Sequence, residues 1–520
     1  MADRITRRAF LGAAGAVGLT AADAAGQWSR RPVAWPCPPQ PWPPYPQPYP
    51  PGPDPVPPPP PPTLRVRRNI LSLNQAQIDS LKKGVAALKA LPDTDRRSWT
   101  FQAAIHGTDS GGMDPLFNQC EHGTLHFLTW HRMYLYQFEN ILRWAAQDND
   151  LTLPYWDWVA TPVLPEPFRN PAAASNPLYD ATRAANNGAP LPPQLGADVT
   201  NALDELTFGP TPGIGFSQSL EGPHGSVHVL VGGPTGNMRF VSRSARDPIF
   251  WLHHGNIDRL WDRWIHMGGG RANPTDPTFL NQQYTLADET GATKTIRVGD
   301  AIGSAQLGYQ YDSEPGPTAA VAAAVAVAAA AAVTPKMAAH AHAEKEGEKV
   351  EVKPLRFDGH LDPLYLEPAM RTALAAVGPP AAGAPRVIVT VEGVSADEPP
   401  SFLYAVYLNL PPGDPAALPE QQRDMHYVGS IDFFGKTRSD QKARAHAHAG
   451  ETFDARLDAT RTVARLRQAG QWNPDALTLT VLPLATAPPN VPTEKVQAMA
   501  AESARKANVS YRRISVRVVQ

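Results

Sequence analysis

The chain of 520 residues is poor in three features that would otherwise direct its classification. It has only two cysteines, and Cys37 lies in a proline-rich tract that offers no fixed geometry for a disulfide bridge to Cys120. Its formal net charge of -2 gives no argument for a nucleic-acid or anionic-membrane partner. Beyond the amino terminus, no stretch resembles a membrane span. Because 42% of the side chains are hydrophobic, the chain can bury a substantial core, and we expect small-molecule partners.

Histidine, by contrast, is concentrated in one region of the chain. Nine of the fifteen histidines fall between His106 and His266, and none lies between His266 and His340. Neutral imidazole suits copper, zinc, iron and nickel, and a site made only of imidazoles favours a metal that cycles between charge states. Six of these histidines form two groups of three, and so predict two metal ions: His106, His122 and His131, then His224, His228 and His254.

The spacing within the second group indicates a helix. His224 and His228 are four residues apart, which places both rings on one helical face where they can share one ion. No glutamate sits within a histidine pair as in the H-E-x-x-H motif, and this disfavours a zinc hydrolase.

Three segments together resemble the two copper-binding signatures of the tyrosinase, catechol oxidase and haemocyanin superfamily. They are H-x8-H-R from His122, H-x3-H from His224, and D-P-x-F-x3-H-x3-D from Asp247. The resemblance covers roughly Leu64 to Asp312. It implies a cofactor of two copper ions, the first bound by the upstream histidine group and the second by the downstream group. His254 is preferred to His253 because the motif places its ligand four residues before the aspartate. His126, His253 and His266 are interpreted as ordinary core histidines. His126 is four residues after His122 and is therefore an alternative ligand, but the motif spacing favours His131.

Cys120 precedes His122 in a C-x-H arrangement. In fungal tyrosinases and molluscan haemocyanins, such a cysteine carries a thioether bond to the ring of the second ligand, so the resemblance implies a Cys120–His122 crosslink. A buried thiol or a disulfide with Cys37 are the alternatives left open.

The resemblance also implies an activity. Two copper ions would together reduce dioxygen and oxidise a bound catechol to an o-quinone. Asp258 is a candidate to position a ligand histidine without binding the metal itself. The alternative is a simple surface carboxylate. Phe250 is expected to pack against ligand rings.

Three further residues bear on the substrate. In the family, monophenol hydroxylation is associated with an asparagine directly after the first histidine of the second site and with a nearby glutamate that holds a water. Here Gly225 follows that histidine, and Glu221 is the candidate glutamate, one residue short of the plant spacing. The family's gate residue falls on Val241, where a valine would leave the copper open. We therefore expect diphenol oxidation with weak monophenol hydroxylation; a true tyrosinase with full monophenolase activity and a haemocyanin-like oxygen carrier are the alternatives.

The chain divides into five predicted segments. Residues 1–25 resemble a twin-arginine signal around Arg7-Arg8, which predicts export to the periplasm or medium by the twin-arginine machinery, with a copper chaperone as a further candidate partner. Residues 26–63 form a proline-rich linker. Residues 64–313 form the copper domain, residues 314–351 an alanine-rich and charged linker, and residues 352–520 a carboxy-terminal domain.

The predicted fold class is a mainly α copper domain followed by a β-sandwich. Ile78, Leu81, Val85 and Leu88 recur at helical spacing, a second helix is expected from Leu125 to Trp144, and a third from near His254. A four-helix-bundle core around the metals comes from the family resemblance. The copper domain is expected to close at a tyrosine motif, Leu307–Tyr311. Alternating β-formers then predict the sandwich, in segments 356–359, 386–391, 402–407 and 514–519. By resemblance to plant enzymes, this domain covers the copper cleft and keeps it latent.

Overall fold

The computed structural model describes residues 64–110, 114–209, 214–313, 353–354, 368–378, 384–437, 452–484 and 492–519. All of them lie in one compact unit, Pro62–Gln520. The predicted signal, both predicted linkers and the predicted strand at 356–359 fall outside the described residues. Among the described helices, none combines the length and the apolar character that crossing a membrane would require.

The first part of the chain is mainly helical. Its helices, in chain order, are α1 (Gln75–Ala90), α2 (Trp99–His106), α3 (Phe127–Ala146), α4 (Glu166–Arg169), α5 (Gln194–Asp204), α6 (Phe216–Gly232), α7 (Ile249–His266) and α8 (Pro277–Asn281). Helices α2, α3, α6 and α7 carry five of the six candidate histidines and bury their apolar residues in a common core. The predicted helical bundle is thus confirmed.

Local sequence explains where two of these helices begin. Asn74 caps α1 by accepting from Gln77 N, and the Gln77 side chain accepts from Asn74 N in return, which forms a capping box. The four apolar residues that predicted this helix are all buried on it. The prediction that the third helix begins near His254 is wrong, because α7 begins at Ile249. Pro248 already has helical dihedral angles there, and the Asp247 carboxylate accepts from Ile249 N.

Short strands complete the copper domain. They are β1 (Arg65–Arg67), β2 (Gln283–Ala287), β3 (Thr293–Arg297) and β4 (Tyr309–Tyr311). Strands β2 and β3 form an antiparallel hairpin, whereas β1 pairs in parallel with β4. The second pairing joins the beginning of the domain to its predicted closing tyrosine motif.

The carboxy-terminal domain contains two three-stranded antiparallel sheets. Its strands are β5 (Lys353–Pro354), β6 (Arg386–Val394), β7 (Leu403–Leu408), β8 (Tyr427–Ile431), β9 (Phe453–Asp458), β10 (Leu479–Leu484), β11 (Ser510–Tyr511) and β12 (Arg513–Val519). The sheet orders are β10-β7-β8 and β12-β6-β9. Apolar residues of both sheets share one buried cluster, as a β-sandwich requires.

Sequence patterns found some of these strands and missed others. The predicted strands at 386–391, 402–407 and 514–519 correspond to β6, β7 and β12. Strands β8, β9 and β10 were not predicted. Neither were helices α9 (Pro368–Ala376), α10 (Glu420–His426), α11 (Thr460–Gln468) and α12 (Thr493–Lys506).

Candidate metal centre

The six candidate histidines converge from four helices and one loop. His122 lies in the loop before α3, and the other five lie on the bundle helices. Within the upstream group, ring centroids are 5.1 to 5.6 Å apart, and within the downstream group 4.7 to 5.4 Å. The two groups meet where the rings of His131 and His254 stack at 4.3 Å. The structure therefore brings together all six residues that the sequence singled out.

Backbone carbonyls orient three of the rings. The Nδ1 atoms of His106, His131 and His228 donate to the carbonyls of Val241, Phe127 and Met238 at 3.0, 2.8 and 2.8 Å. A carbonyl can only accept, so Nδ1 of each ring carries the proton and the Nε2 atom keeps the lone pair. Fixing the tautomer in this way is how protein scaffolds prepare imidazoles for a metal.

Burial keeps the downstream rings neutral. It lowers the pKa of His224, His228 and His254 well below the usual histidine value, and the neighbouring histidines lower it further. A neutral imidazole is the form that coordinates a metal. These rings need no deprotonation at neutral pH.

His224 provides the clearest test of whether a metal fits. Neither of its ring nitrogens has a hydrogen-bond partner among the described residues, although the side chain is fully buried. Leaving buried polar atoms unsatisfied costs about 1–3 kcal/mol each. The Nε2 atoms of His228 and His254 lie only 3.3 Å apart nearby. A bound ion would satisfy these nitrogens, and an all-imidazole donor set suits copper.

His253 lies closer to the downstream histidine group than its interpretation from the sequence indicates. It was interpreted as an ordinary core histidine, yet its donor atom and those of His224, His228 and His254 all lie within 4.8 Å of one another. Burial, with a contribution from His131, lowers its pKa to about 3. Its ring lies against the backbone of His224, which partly opposes the lowering of its pKa. Its position next to His254 was the only available signal.

Cys120 lies beside the upstream group. Its sulfur and donor atoms of His106 and His122 all lie within 4.8 Å of one another, and the residue is half-buried. This proximity is compatible with the predicted Cys120–His122 crosslink. The alternative disulfide partner, Cys37, is outside the described residues.

Phe250 and Val241 line the same core. The Phe250 ring lies 4.8 Å from His106, 4.2 Å from His254 and 5.9 Å from His228, so it packs against rings of both groups. Val241 is buried, and its carbonyl is the group that orients His106.

Glu221 connects the two histidine groups. This buried residue of α6 accepts a hydrogen bond from the backbone N–H of Gly123 at 2.6 Å. Gly123 follows His122 directly and has a positive φ of 72°. The carboxylate therefore holds the loop that carries His122 against the helix that carries His224.

Asp258 is the centre of a buried ionic network. It accepts from Arg132 Nε at 2.6 Å, from Arg67 Nη1 at 3.2 Å and from the hydroxyls of Tyr309 and Tyr311 at 2.6 Å each. Burial opposes ionisation, but the two arginines outweigh it and hold the pKa of Asp258 below its usual value. The alternative of a surface carboxylate is wrong, because Asp258 is 3% exposed. It ties β1 and β4 to α3 and α7, two of the helices that carry candidate histidines.

The carboxy-terminal domain places an aromatic ring over the histidines. Phe434, in the loop after β8, stacks on His228 with centroids 3.9 Å apart and an interplanar angle of 9°. Its ring also contacts His122 and His224 edge-on, at 5.4 and 5.6 Å. It packs with the core of the copper domain rather than with the sandwich core. Nothing in the local sequence distinguishes Phe434 from other buried phenylalanines.

Helix α5 holds the carboxy-terminal domain through one of its faces. Along it, Gln194 donates to Asp424, Asn201 donates to the Val428 carbonyl, and Asp198 accepts from Tyr427 and Ser430. Beyond the end of the helix, the Glu205 carboxylate pairs with Arg386 at 2.9 Å. These residues recur at helical spacing, so the polar face of α5 is an interdomain contact surface.

Comparisons with known proteins agree with this architecture. Residues 96–214 and 191–267 match the common central domain of tyrosinase, residues 273–321 the polyphenol oxidase middle domain, and residues 320–497 a domain of unknown function. The chain is 33% identical over 300 residues to tyrosinase HcTyr1 of Hahella sp. (48% of this chain, 63% of that protein). It is also 33% identical over 293 residues to a chloroplastic polyphenol oxidase of Malus domestica (48% of each). The chain thus spans between about half and two thirds of these relatives' lengths.

Two solved structures share the fold over most of both chains. Latent apple tyrosinase aligns with a TM-score of 0.57 at 24% identity, over 89% of this chain and 98% of that one. Latent aurone synthase aligns with a TM-score of 0.56 at 20% identity, over 88% and 90%. The shared region includes the carboxy-terminal domain as well as the helical domain.

Proposed function

We propose that the chain is a member of the tyrosinase and polyphenol oxidase family, whose domains it matches, and that it is a latent copper-dependent polyphenol oxidase that oxidises o-diphenols to o-quinones with dioxygen. The observation that carries this proposal is the convergence of two groups of three buried histidines, which meet at the stacked rings of His131 and His254.

Each metal position has its own set of ligands in this proposal. His106, His122 and His131 hold the first copper, and His224, His228 and His254 hold the second. When bound, the copper pair supplies the electron exchange between diphenol and dioxygen. The protein contributes neutral, pre-oriented imidazoles and a water-excluding core in which Phe250 contacts rings of both groups.

The substrate preference follows from the surroundings of His224. Gly225 brings no polar side chain beside His224, and the Glu221 carboxylate accepts a hydrogen bond from Gly123 N. We therefore propose diphenol oxidation as the main activity, with weak monophenol hydroxylation. Glu221 positions the His122 loop, and it is the candidate to hold a water near a bound monophenol.

Latency is part of the proposed function. Phe434 occupies the space above His228 where a phenol ring would approach the second metal position. The domain boundaries proposed from the sequence place a linker at 314–351 between the two domains. Cleavage within this linker would let the carboxy-terminal domain leave the site.

Export completes the proposal. The Arg7-Arg8 segment is compatible with a twin-arginine signal, a route that carries folded proteins and therefore suits an enzyme that acquires its metal before crossing the membrane. The amino-terminal sequence of the exported protein, expected to begin near Ala24 or Ala25, tests this part.

Copper stoichiometry tests the assignment of ligands. We expect two copper ions per chain in the parent protein and about one in His131→Ala or His254→Ala, because each change removes one of three ligands at one position. Oxygen uptake on catechol and tyramine, before and after linker cleavage, reports the activity. Both variants are expected to lose it.

His266→Ala is the matched control for that experiment. His266 lies on α7 like His254, but its Nδ1 bonds to the Asp262 carbonyl, away from both histidine groups. It should retain two copper ions. His253→Ala should also retain two if His254 is the ligand; a parent protein that binds a single ion would contradict the dicopper proposal.

A second prediction concerns the gate assigned to Val241. Val241→Phe would place an aromatic ring next to His106, so we expect kcat/KM for a bulky catechol to fall roughly tenfold relative to catechol itself. The ratio is measured on chain cleaved in the linker, with copper content as a check on overpacking. An unchanged ratio would rule out a gating role.

A further inference from the structure

Gly225, directly after His224, lies against residues of the carboxy-terminal domain. An ideal Cβ built on it would overlap Asp432 Oδ1, and it would lie 2.7 Å from Asp432 Cγ and 3.3 Å from Phe434 Cβ. Side chains essentially never make contacts as short as the first two. The loop that covers the site therefore occupies the space that any side chain at position 225 would need.

Asp432 has little freedom to move aside. It is buried, its Oδ1 accepts from Phe434 N at 3.1 Å, and its Oδ2 pairs with Lys436 Nζ at 2.6 Å. The carboxylate thus organises the short loop that presents Phe434. We call residues 432–436 the plug loop. Displacing the carboxylate would also displace the ring, or would break hydrogen bonds in a buried place.

A neighbouring contact fixes how β8 is aligned against α6. The hydroxyls of Ser226 and Ser430 lie 3.2 Å apart, immediately beside Gly225 and just before the plug loop. A one-residue shift along β8 is therefore not a simple way to relieve an overlap at position 225.

We infer that the missing side chain at position 225 is what admits the plug loop, so that Gly225 determines whether the carboxy-terminal domain can close the site. This rests on the proposed function only in calling the closed state latent. Any larger residue at position 225 opens the site by expelling Asp432 and, with it, Phe434. The size of the side chain at position 225 is thus limited by the need to close the site as well as by the substrate.

Gly225→Ala is the sharpest test because it adds a single methyl group. On a helix, alanine is favoured over glycine by about 1 kcal/mol, so the change should not weaken α6 itself. Gly222→Ala is the matched control: Gly222 lies on the same helix, and an ideal Cβ there meets nothing within 4 Å.

Hydrogen exchange of residues 427–437, measured on metal-free full-length chain, reports docking independently of copper and turnover. We expect Gly225→Ala to lower protection there at least tenfold, whereas Gly222→Ala keeps the parent's protection. In copper-loaded protein, catechol turnover by uncleaved Gly225→Ala should rise in parallel.

A double variant identifies the carboxylate as the cause. Asp432→Ala removes the overlapping atoms, so adding Gly225→Ala to it should change exchange far less than it does in the parent. If Gly225→Ala keeps full protection, or if the two changes act additively, the inference is wrong. If exchange responds as expected but no variant oxidises catechol, the proposed function fails and the closure inference stands.

Discussion

Uncleaved Phe434→Ala chain is expected to oxidise catechol about 10- to 100-fold faster than the uncleaved parent, approaching the rate of linker-cleaved chain. Phe434 stacks on His228 and is buried among copper-domain residues, so its ring must leave before a phenol ring can occupy the same place. Burying such a side chain stabilises the closed state by about 1.5–3 kcal/mol. Because each 1.4 kcal/mol is about tenfold in an equilibrium constant, losing this free energy raises the population of open chains by about the expected factor.

The control for this prediction is another phenylalanine of the same domain. Phe402 is partly buried and packs against the sandwich core. Phe402→Ala should therefore leave uncleaved turnover near the parent value. A Phe434→Ala chain that remained as inactive as the parent, while cleavage still activated both, would assign the blocking role to another residue.

The grouping of the candidate ligand histidines could be predicted because the information is local. His224 and His228 face one way wherever a helix forms, and the D-P-x-F segment fixes which histidine precedes Asp258 by one helical turn. The structure then had only to bring these segments together in a bundle. The amphipathic spacing of α1 was predictable for the same reason.

Contacts between residues distant in the chain were not predictable. Phe434 and His228 are more than two hundred residues apart, and only the docking of the sandwich gives that phenylalanine a role. The buried ionic network around Asp258 likewise draws its partners from β1, α3 and β4. The sequence near Asp258 therefore could not show whether this carboxylate is buried or lies on the surface. His253 joined the downstream histidines for a similar reason, because its neighbours come from α6.

Release of the carboxy-terminal domain should become easier as the pH rises, and Asp198→Asn should remove much of this dependence. In the docked state, burial raises the pKa of Asp198 to about 7, although hydrogen bonds from Ser430 and Tyr427 partly oppose the shift. On undocking, the carboxyl returns toward its ordinary value of 3.8. The docked state therefore prefers the protonated acid.

The sign of the effect follows from this difference. Below about pH 4 both states are protonated, and the residue does not oppose docking. Between the two pKa values docking must take up a proton, so it weakens by up to about 1.4 kcal/mol, or tenfold, for each pH unit. Above about pH 7 the penalty levels off. Glu205 acts in the same direction, because burial outweighs Arg386 and raises its pKa to about 7.

Exchange protection of residues 427–437 in metal-free chain measures the effect, as a ratio of variant to parent at each pH so that intrinsic exchange rates cancel. The ratio for Asp198→Asn should climb from pH 4 to pH 7 by at least tenfold in total and then stay level, because asparagine carries no charge at any of these pH values. Asn201→Ala removes a contact to the Val428 carbonyl on the same helix face without removing a titratable group. For Asn201→Ala, the ratio of protection to that of the parent should be lowered equally at every pH. If the ratio for Asp198→Asn is also independent of pH, this carboxyl does not couple docking to protonation.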